Sequence, residues 1–171
     1  MEMIDVNTLV IPAECDDNVK LYDEIIACAI RNGTKIISID EDTVISCGDI
    51  NLSIYCSGIG GEENERCLMF KAELPGVELL VTGDATATMQ RRLAEKQDLS
   101  GVDAFMVAHH GSKYSVCEEL LAEVGGDIAM ISVGQNYYGH PAEETLEALA
   151  YWGYNVYRTD VQGNLKIEIG Q

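Results

Sequence analysis

Positive charge is scarce in this chain: eleven Lys and Arg stand against twenty-nine Asp and Glu, a formal net charge of −18 over 171 residues. A surface of that sign repels phosphate backbones and disfavours broad electrostatic binding of nucleic acid. A pocket holding a divalent cation would reverse the sign locally, so a phosphate-bearing substrate stays compatible with one site. Elsewhere the acidity reads as a solvated surface that aids solubility. Long hydrophobic runs are also missing. The longest, "EIIACAI" at 24–30, falls far short of the roughly 20 residues that span a bilayer. No basic segment followed by an apolar one opens the chain as a signal peptide would. The six cysteines (Cys15, Cys28, Cys47, Cys56, Cys67 and Cys117) include no C-x-x-C pair, which argues against a disulfide framework and fits a reducing compartment. Four of them lie in apolar segments and read as small buried hydrophobes. There is no G-x-S-x-G elbow, and "SGIGGE" lacks the Gly-Lys-Ser/Thr of a phosphate-binding loop.

What is present is an ordinary globular composition, 47% hydrophobic and 23% charged, in a length that suits one domain over 1–171. "NTLVIPA" (7–13) is a β-rich run ended by Pro12, and the acidic "ECDDN" after it offers a helix cap. Apolar residues at Leu21, Ile25, Ile26, Ala29 and Ile30 predict a helix over Val19–Arg31, closed by "RNG". "KIISI" (35–39), "TVISC" (43–47) and "INLSIYC" (50–56) read as short strands, and "SGIGGEENE" as an exposed loop. "CLMFKAEL" and "ELLVTG" pair as a hairpin across "PG" at 75–76. Helices over 85–97, 116–124 and 141–152 then alternate with strands over 104–108 and 128–133, before two final strands, "NVYRT" and "NLKIEI". Such alternation predicts an α/β layered fold.

The residues able to do chemistry fall at one kind of place on this map. Asp84 follows the strand "ELLVTG", His109 and His110 follow "AFMVA", and His140 lies in the loop after "IAMISV". Sites in open α/β sheets form where loops converge at the carboxyl ends of strands. A carboxylate and imidazoles arriving there make a donor set suited to Zn, Mn or Fe, with at least one of the paired histidines a ligand. Taken singly, each of these residues has a blander reading: a strand-end His is more often a hydrogen-bonded structural residue, and "GD" is a common turn. Cys117 on a helix is a poor candidate nucleophile. "YWGY" at 151–154 reads as helix-end core packing, and Arg91, Arg92 and Lys96 read as a solvated helix face.

The segments "LLVTGDAT", "MVAHHGSKYS", "ISVGQNYYGHP" and "VYRTDVQGNLKI" resemble, in order and spacing over 64–169, signatures of the metallo-β-lactamase domain of ComEC-type DNA-uptake (competence) proteins. The segment 7–55 is similar with less specificity. The resemblance implies an αββα sandwich holding two divalent metal ions, Zn or Mn, in an intact relative. By position it makes Asp84 the bridging carboxylate and His110 and His140 metal ligands. Asp84 and His109 are then the catalytic pair of this half of the site, with His109 the neighbour that orients the site or touches substrate and the alternative ligand to His110. Ser112, Lys113 and Tyr138 are near enough in sequence to contact a phosphate. Asn64 and Cys67 stand where the family usually has Asn and Ser, so Cys67 departs mildly.

One departure is larger. The fold's H-x-H-x-D-H motif has no counterpart, because no histidine precedes residue 109. The chain therefore reads as a sandwich incomplete on its amino-terminal side, a carboxyl-terminal portion of such a domain rather than a degenerate whole one. The activity implied is metal-assisted phosphodiester hydrolysis, of nuclease type, in a DNA-internalisation protein. With Asp84, His110 and His140 alone a tight dinuclear site does not assemble, so metal binding by this chain is expected to be weak or absent. The alternative is a non-catalytic acidic interaction module on the same scaffold. The expected setting is a soluble domain of a membrane-associated protein that meets DNA through that protein. A homodimer through an exposed amino-terminal sheet edge is also expected.

Overall fold

The computed structural model describes residues 4–13, 20–56 and 66–168. Asn64, Cys15, the "ECDDN" cap and the loop around "GIGGE" lie outside the described residues. Among the described residues nine strands form two sheets. β1 (Thr8–Pro12) and β2 (Lys35–Ile39) pair in parallel across α1 (Lys20–Arg31). The other sheet runs β3 (Thr43–Cys47), β4 (Ile50–Tyr55), β5 (Met69–Leu74), β6 (Val77–Val81), β7 (Ala104–Met106), β8 (Ile128–Ile131) and β9 (Asn155–Arg158), each strand beside its sequence neighbour.

The large sheet changes character at β6. β3 to β6 form an antiparallel meander, whereas β6 to β9 are parallel. Parallel neighbours need crossovers, supplied here by α2 (Ala87–Lys96), α3 (Glu118–Val124) and α4 (Glu143–Tyr151). Because such crossovers are right-handed and each strand is laid beside the last, all three helices fall on one face of the sheet. The core agrees: Leu80, Phe105, Ala129 and Ile131 of the strands pack with Met89 and Leu93 of α2, Leu120, Leu121 and Val124 of α3, and Leu149 of α4. α1 packs on the small sheet, against β2. Because these strands run parallel, the loops after β6, β7 and β8 lie at one edge, which is where Asp84, the histidine pair and His140 sit.

Several elements differ from the sequence reading. The strand expected over 104–108 ends at Met106, because the chain turns left-handed at His109 (φ 52°) and His110 (φ 54°). The predicted last strand "NLKIEI" is not a strand over its described residues 164–168. β9 leads instead into α5 (Thr159–Gln162), whose Thr159 hydroxyl donates to the carbonyl of Val133, and residues 165–168 then line a cavity with Ile128, Met130 and Tyr157 without pairing as a strand. Only Cys117 of the described cysteines is buried. Cys28 is exposed beside Leu9, Ile25 and Ala29 in an open cleft next to α1, and Cys47 is exposed at the end of the edge strand β3. In "YWGY" only Tyr154 is core, its hydroxyl donating to the Leu121 carbonyl (2.7 Å) and its ring edge-on to Phe105, while Tyr151 stands in solvent. Among the described residues no helix is long and apolar enough to cross a membrane.

Candidate metal centre

Three turns build the site. The first follows β6, where Thr82, fully buried, donates its hydroxyl to the Met106 carbonyl (2.5 Å) and fixes β6 against β7 just before Gly83. Gly83 takes φ 53°, and a Cβ there would lie 2.6 Å from the Cys67 sulphur. Cys67 sits beneath this turn, and the Asp84 amide donates to its Sγ (3.2 Å). Burial pushes the Cys67 thiol up in pKa, so it stays a neutral acceptor. The Asp84 side chain is left exposed at the edge.

The second turn carries the histidine pair. The His109 amide donates to the Gly83 carbonyl (2.9 Å), joining this turn directly to the Gly83–Asp84 one. Left-handed backbone costs a non-glycine residue roughly 1–2 kcal/mol, and two such residues in succession are unusual. Strain of that kind concentrates where surrounding contacts over-determine a functional conformation. Gly111 continues the twist at φ 81°, and a Cβ there would lie 2.6 Å from the Pro141 Cβ. Its carbonyl accepts from the Ala142 amide (2.9 Å) and from the buried Thr145 hydroxyl (2.9 Å), so the second turn is bonded to the third.

The third turn, after β8, is organised by Asn136. Its Nδ2 donates to the carbonyls of Gly134 (2.9 Å) and His140 (2.8 Å), and its Oδ1 accepts from the amides of Tyr138 (3.0 Å) and His140 (3.1 Å). One amide side chain thus closes the loop on itself and aims His140. Sequence reading missed Asn136; an Asn between the glycines of "GQNYYGHP" marks a turn there, but not the bonds its side chain makes.

These turns bring His109 and His140 together, with ring centroids 6.1 Å apart and planes at 64°. Tyr138 lies over His140, centroids 6.0 Å apart and planes at 19°. The His140 Nδ1 is buried and has no hydrogen-bond partner. A buried ring nitrogen without a partner is costly and points to a missing ligand. The His110 ring is held by its other contact: its Nδ1 lies 2.6 Å from the Ser132 carbonyl oxygen, which leaves Nε2 open. A carbonyl only accepts, so Nδ1 carries the proton. Of the three candidate substrate contacts, Tyr138 is exposed beside His140. Lys113 reaches Glu144 (3.8 Å) and the Tyr114 ring. Ser112 is buried, with its hydroxyl accepting from the Tyr114 amide (3.4 Å).

Among the described residues no three His, Cys, Asp or Glu side chains gather closely enough to hold a metal ion. The donor chemistry that is present still suits one. His140 offers an orphaned nitrogen, the His109 ring lies 6.1 Å from its ring, and the exposed Asp84 stands on the turn bonded to His109, which is the imidazole and carboxylate combination that zinc or manganese takes.

No protein-family model matches the chain. It is similar to ComE operon protein 3 of Bacillus subtilis, 26% identical over 147 residues, which cover 84% of this chain and 19% of that protein. Recombination protein 2 of Haemophilus influenzae is 36% identical over 94 residues, 54% of this chain and 12% of its own length. Competence protein ComA of Neisseria gonorrhoeae is 30% identical over 112 residues, 64% of this chain and 16% of its own. The chain thus spans a fifth or less of the curated relatives it matches. Among solved structures, the metallo-β-lactamase fold protein YhfI from Bacillus subtilis superposes with a TM-score of 0.52 at 12% identity, covering 90% of this chain and 63% of that one.

Proposed function

For this chain, homologous to competence proteins of the ComEC type and built on the metallo-β-lactamase fold, we propose a part in metal-dependent hydrolysis of phosphodiester bonds, with DNA the substrate class. The observation that carries the reading is the facing of His109 and His140 at 6.1 Å with the His140 Nδ1 buried and unpartnered. Fold alone would not suffice, since one scaffold hosts many chemistries.

In this reading His109 and His140 hold a divalent cation and Asp84 completes the donor set from the adjoining turn. A bound divalent cation supplies a water acidified towards neutrality and a positive charge against phosphoryl oxygens. Asn136 fixes the direction of the His140 ring by closing its loop. Tyr138, over the outer face of that ring, walls the site and presents an exposed aromatic surface to substrate. Within an acidic surface of this kind, such a cation is the local charge that admits a phosphate.

A second reading, a non-catalytic acidic interaction module, is favoured by the absence of a third gathered donor among the described residues. Calorimetric titration with Mn²⁺ or Zn²⁺ separates the two. The metal-centre reading expects weak binding that His140→Ala abolishes, with little turnover of single-stranded DNA or bis(p-nitrophenyl) phosphate. No binding, or binding indifferent to His140→Ala, would leave the interaction module. Robust chelator-sensitive turnover would show that donors beyond these three complete the site. The pairing of two copies through the β1–β2 edge belongs to the same proposal, and light scattering across a dilution series tests it, a strict monomer at high concentration counting against it.

A further inference from the structure

His110 is the residue of the pair whose ring the cation reading leaves unused, yet it is held in the same strained conformation as His109. Its Nδ1 to Ser132 oxygen contact, 2.6 Å, spans the second and third turns of the site. Ser132 follows the last residue of β8, and the loop that ends in His140 starts two residues later. The next residue, Val133, is gripped from the opposite side: its amide donates to Thr159 Oγ1 (2.7 Å), and the same hydroxyl donates to its carbonyl (2.6 Å). The root of the His140 loop is therefore clamped between His110 on one flank and Thr159 on the other.

We infer that His110 is a positioning residue: by donating Nδ1–H to the Ser132 carbonyl it sets the spacing at which His109 and His140 face each other. The inference rests on the proposed pairing of those two rings around one cation. The remaining ties between the two turns come from the Gly111 carbonyl to Ala142 and Thr145, farther along the chain than His140, and they fix the exit of the loop rather than its root. Side chains on metal ligands' supporting groups commonly change metal affinity 10–100-fold when removed.

Three variants separate the hydrogen bond from the backbone conformation and from direct ligation. His110→Ala removes the donor and leaves the strain. His110→Gly removes the donor and relieves the strain. His110→Asn keeps a donor on a residue that tolerates left-handed backbone. Two readouts apply to each, with circular dichroism confirming the fold: the ring-to-ring nuclear Overhauser effect between His109 and His140 without metal, and the dissociation constant for Zn²⁺ alone. The expected result is loss of the ring contact and about 10–100-fold weaker zinc binding in the Ala and Gly variants, with both restored towards wild type in the Asn variant. Retention of the ring contact in the Gly variant would overturn the inference. An Asn variant as impaired as Ala in zinc binding, with its ring contact intact, would also overturn it, because His110 would then be a ligand itself. If the wild type binds no zinc while the ring contact follows the expected pattern, the cation reading falls and the positioning role stands.

Discussion

Two β-α-β units of this chain use similar material and end up differently packed. In β7–α3–β8, a helix of seven residues buries Leu120, Leu121 and Val124. In β1–α1–β2, a helix of twelve residues buries only Ala29 and leaves Leu21, Ile25 and Ile30 largely exposed. Both helices are amphipathic, and both strand pairs are parallel. What differs is company. α3 packs beside α2, with the Arg91 guanidinium donating to Glu119 (2.7 Å) and Gln90 donating to the Ser115 carbonyl (2.8 Å), over a sheet continued on both sides. The β1–β2 pair stops at two strands among the described residues, and a two-stranded sheet gives a helix little to cover. Periodicity therefore predicts that a helix forms and which face is apolar, while burial is decided by neighbours far away in sequence.

The comparison should be most visible in stability. Leu120→Ala, at a fully buried position, is expected to cost about 2–5 kcal/mol in urea unfolding. Ile25→Ala on α1 should cost less than about 1 kcal/mol, because much of the side chain is already in water. Equal losses would mean that α1 is packed as tightly as α3. Two glycines give a second, smaller contrast. Gly111→Ala meets both a left-handed φ and Pro141 and is expected to cost about 2–4 kcal/mol. Gly33→Ala has a similar φ of 71° but open space around it, so about 1 kcal/mol is expected.

Asn136→Ala should lower global stability by about 1–2 kcal/mol while broadening the His140 ring signals; unchanged His140 signals would show that the loop holds its shape without the amide. The smallest effect concerns pH. Hydrogen bonding to Arg91 holds the Glu119 carboxyl at about 2, below its ordinary 4.5. A depressed folded-state value means that the pair's stabilisation is present above about pH 4.5 and is lost as pH falls towards about 2. Both groups face solvent, so the melting difference between wild type and Glu119→Gln should be slight at neutral pH and vanish in acid.

Much of the parallel half could be read in the sequence, because each strand there is a short apolar run and each helix has its own period. Placing Asp84, the histidine pair and His140 on one edge needed only the alternation of strands and helices. The orientation of the paired histidines was not legible. It depends on two successive left-handed residues and on a carbonyl at Ser132, and neither leaves a mark in residue type. Asn136 was hidden for a similar reason, since its four hydrogen bonds all go to backbone groups of its own loop. Cys67 looked like a departure from a family pattern, and its role as acceptor for the Asp84 amide emerges only from the turn above it. "NLKIEI" misled the sequence reading because it has a strand's alternation, whereas α5 intervenes after β9 and residues 165–168 lie near β8 and β9 without entering the ladder.

The central claim is that His109 and His140 form one binding unit. The chain has three histidines, so a two-dimensional imidazole spectrum contains three ring systems and leaves little room for misassignment. Titration with Zn²⁺ should shift the His109 and His140 rings together along one binding curve, while the Nδ1–H of His110 stays bonded to Ser132. A curve in which His140 moves with His110 and leaves His109 still, or in which no ring responds, would contradict the account.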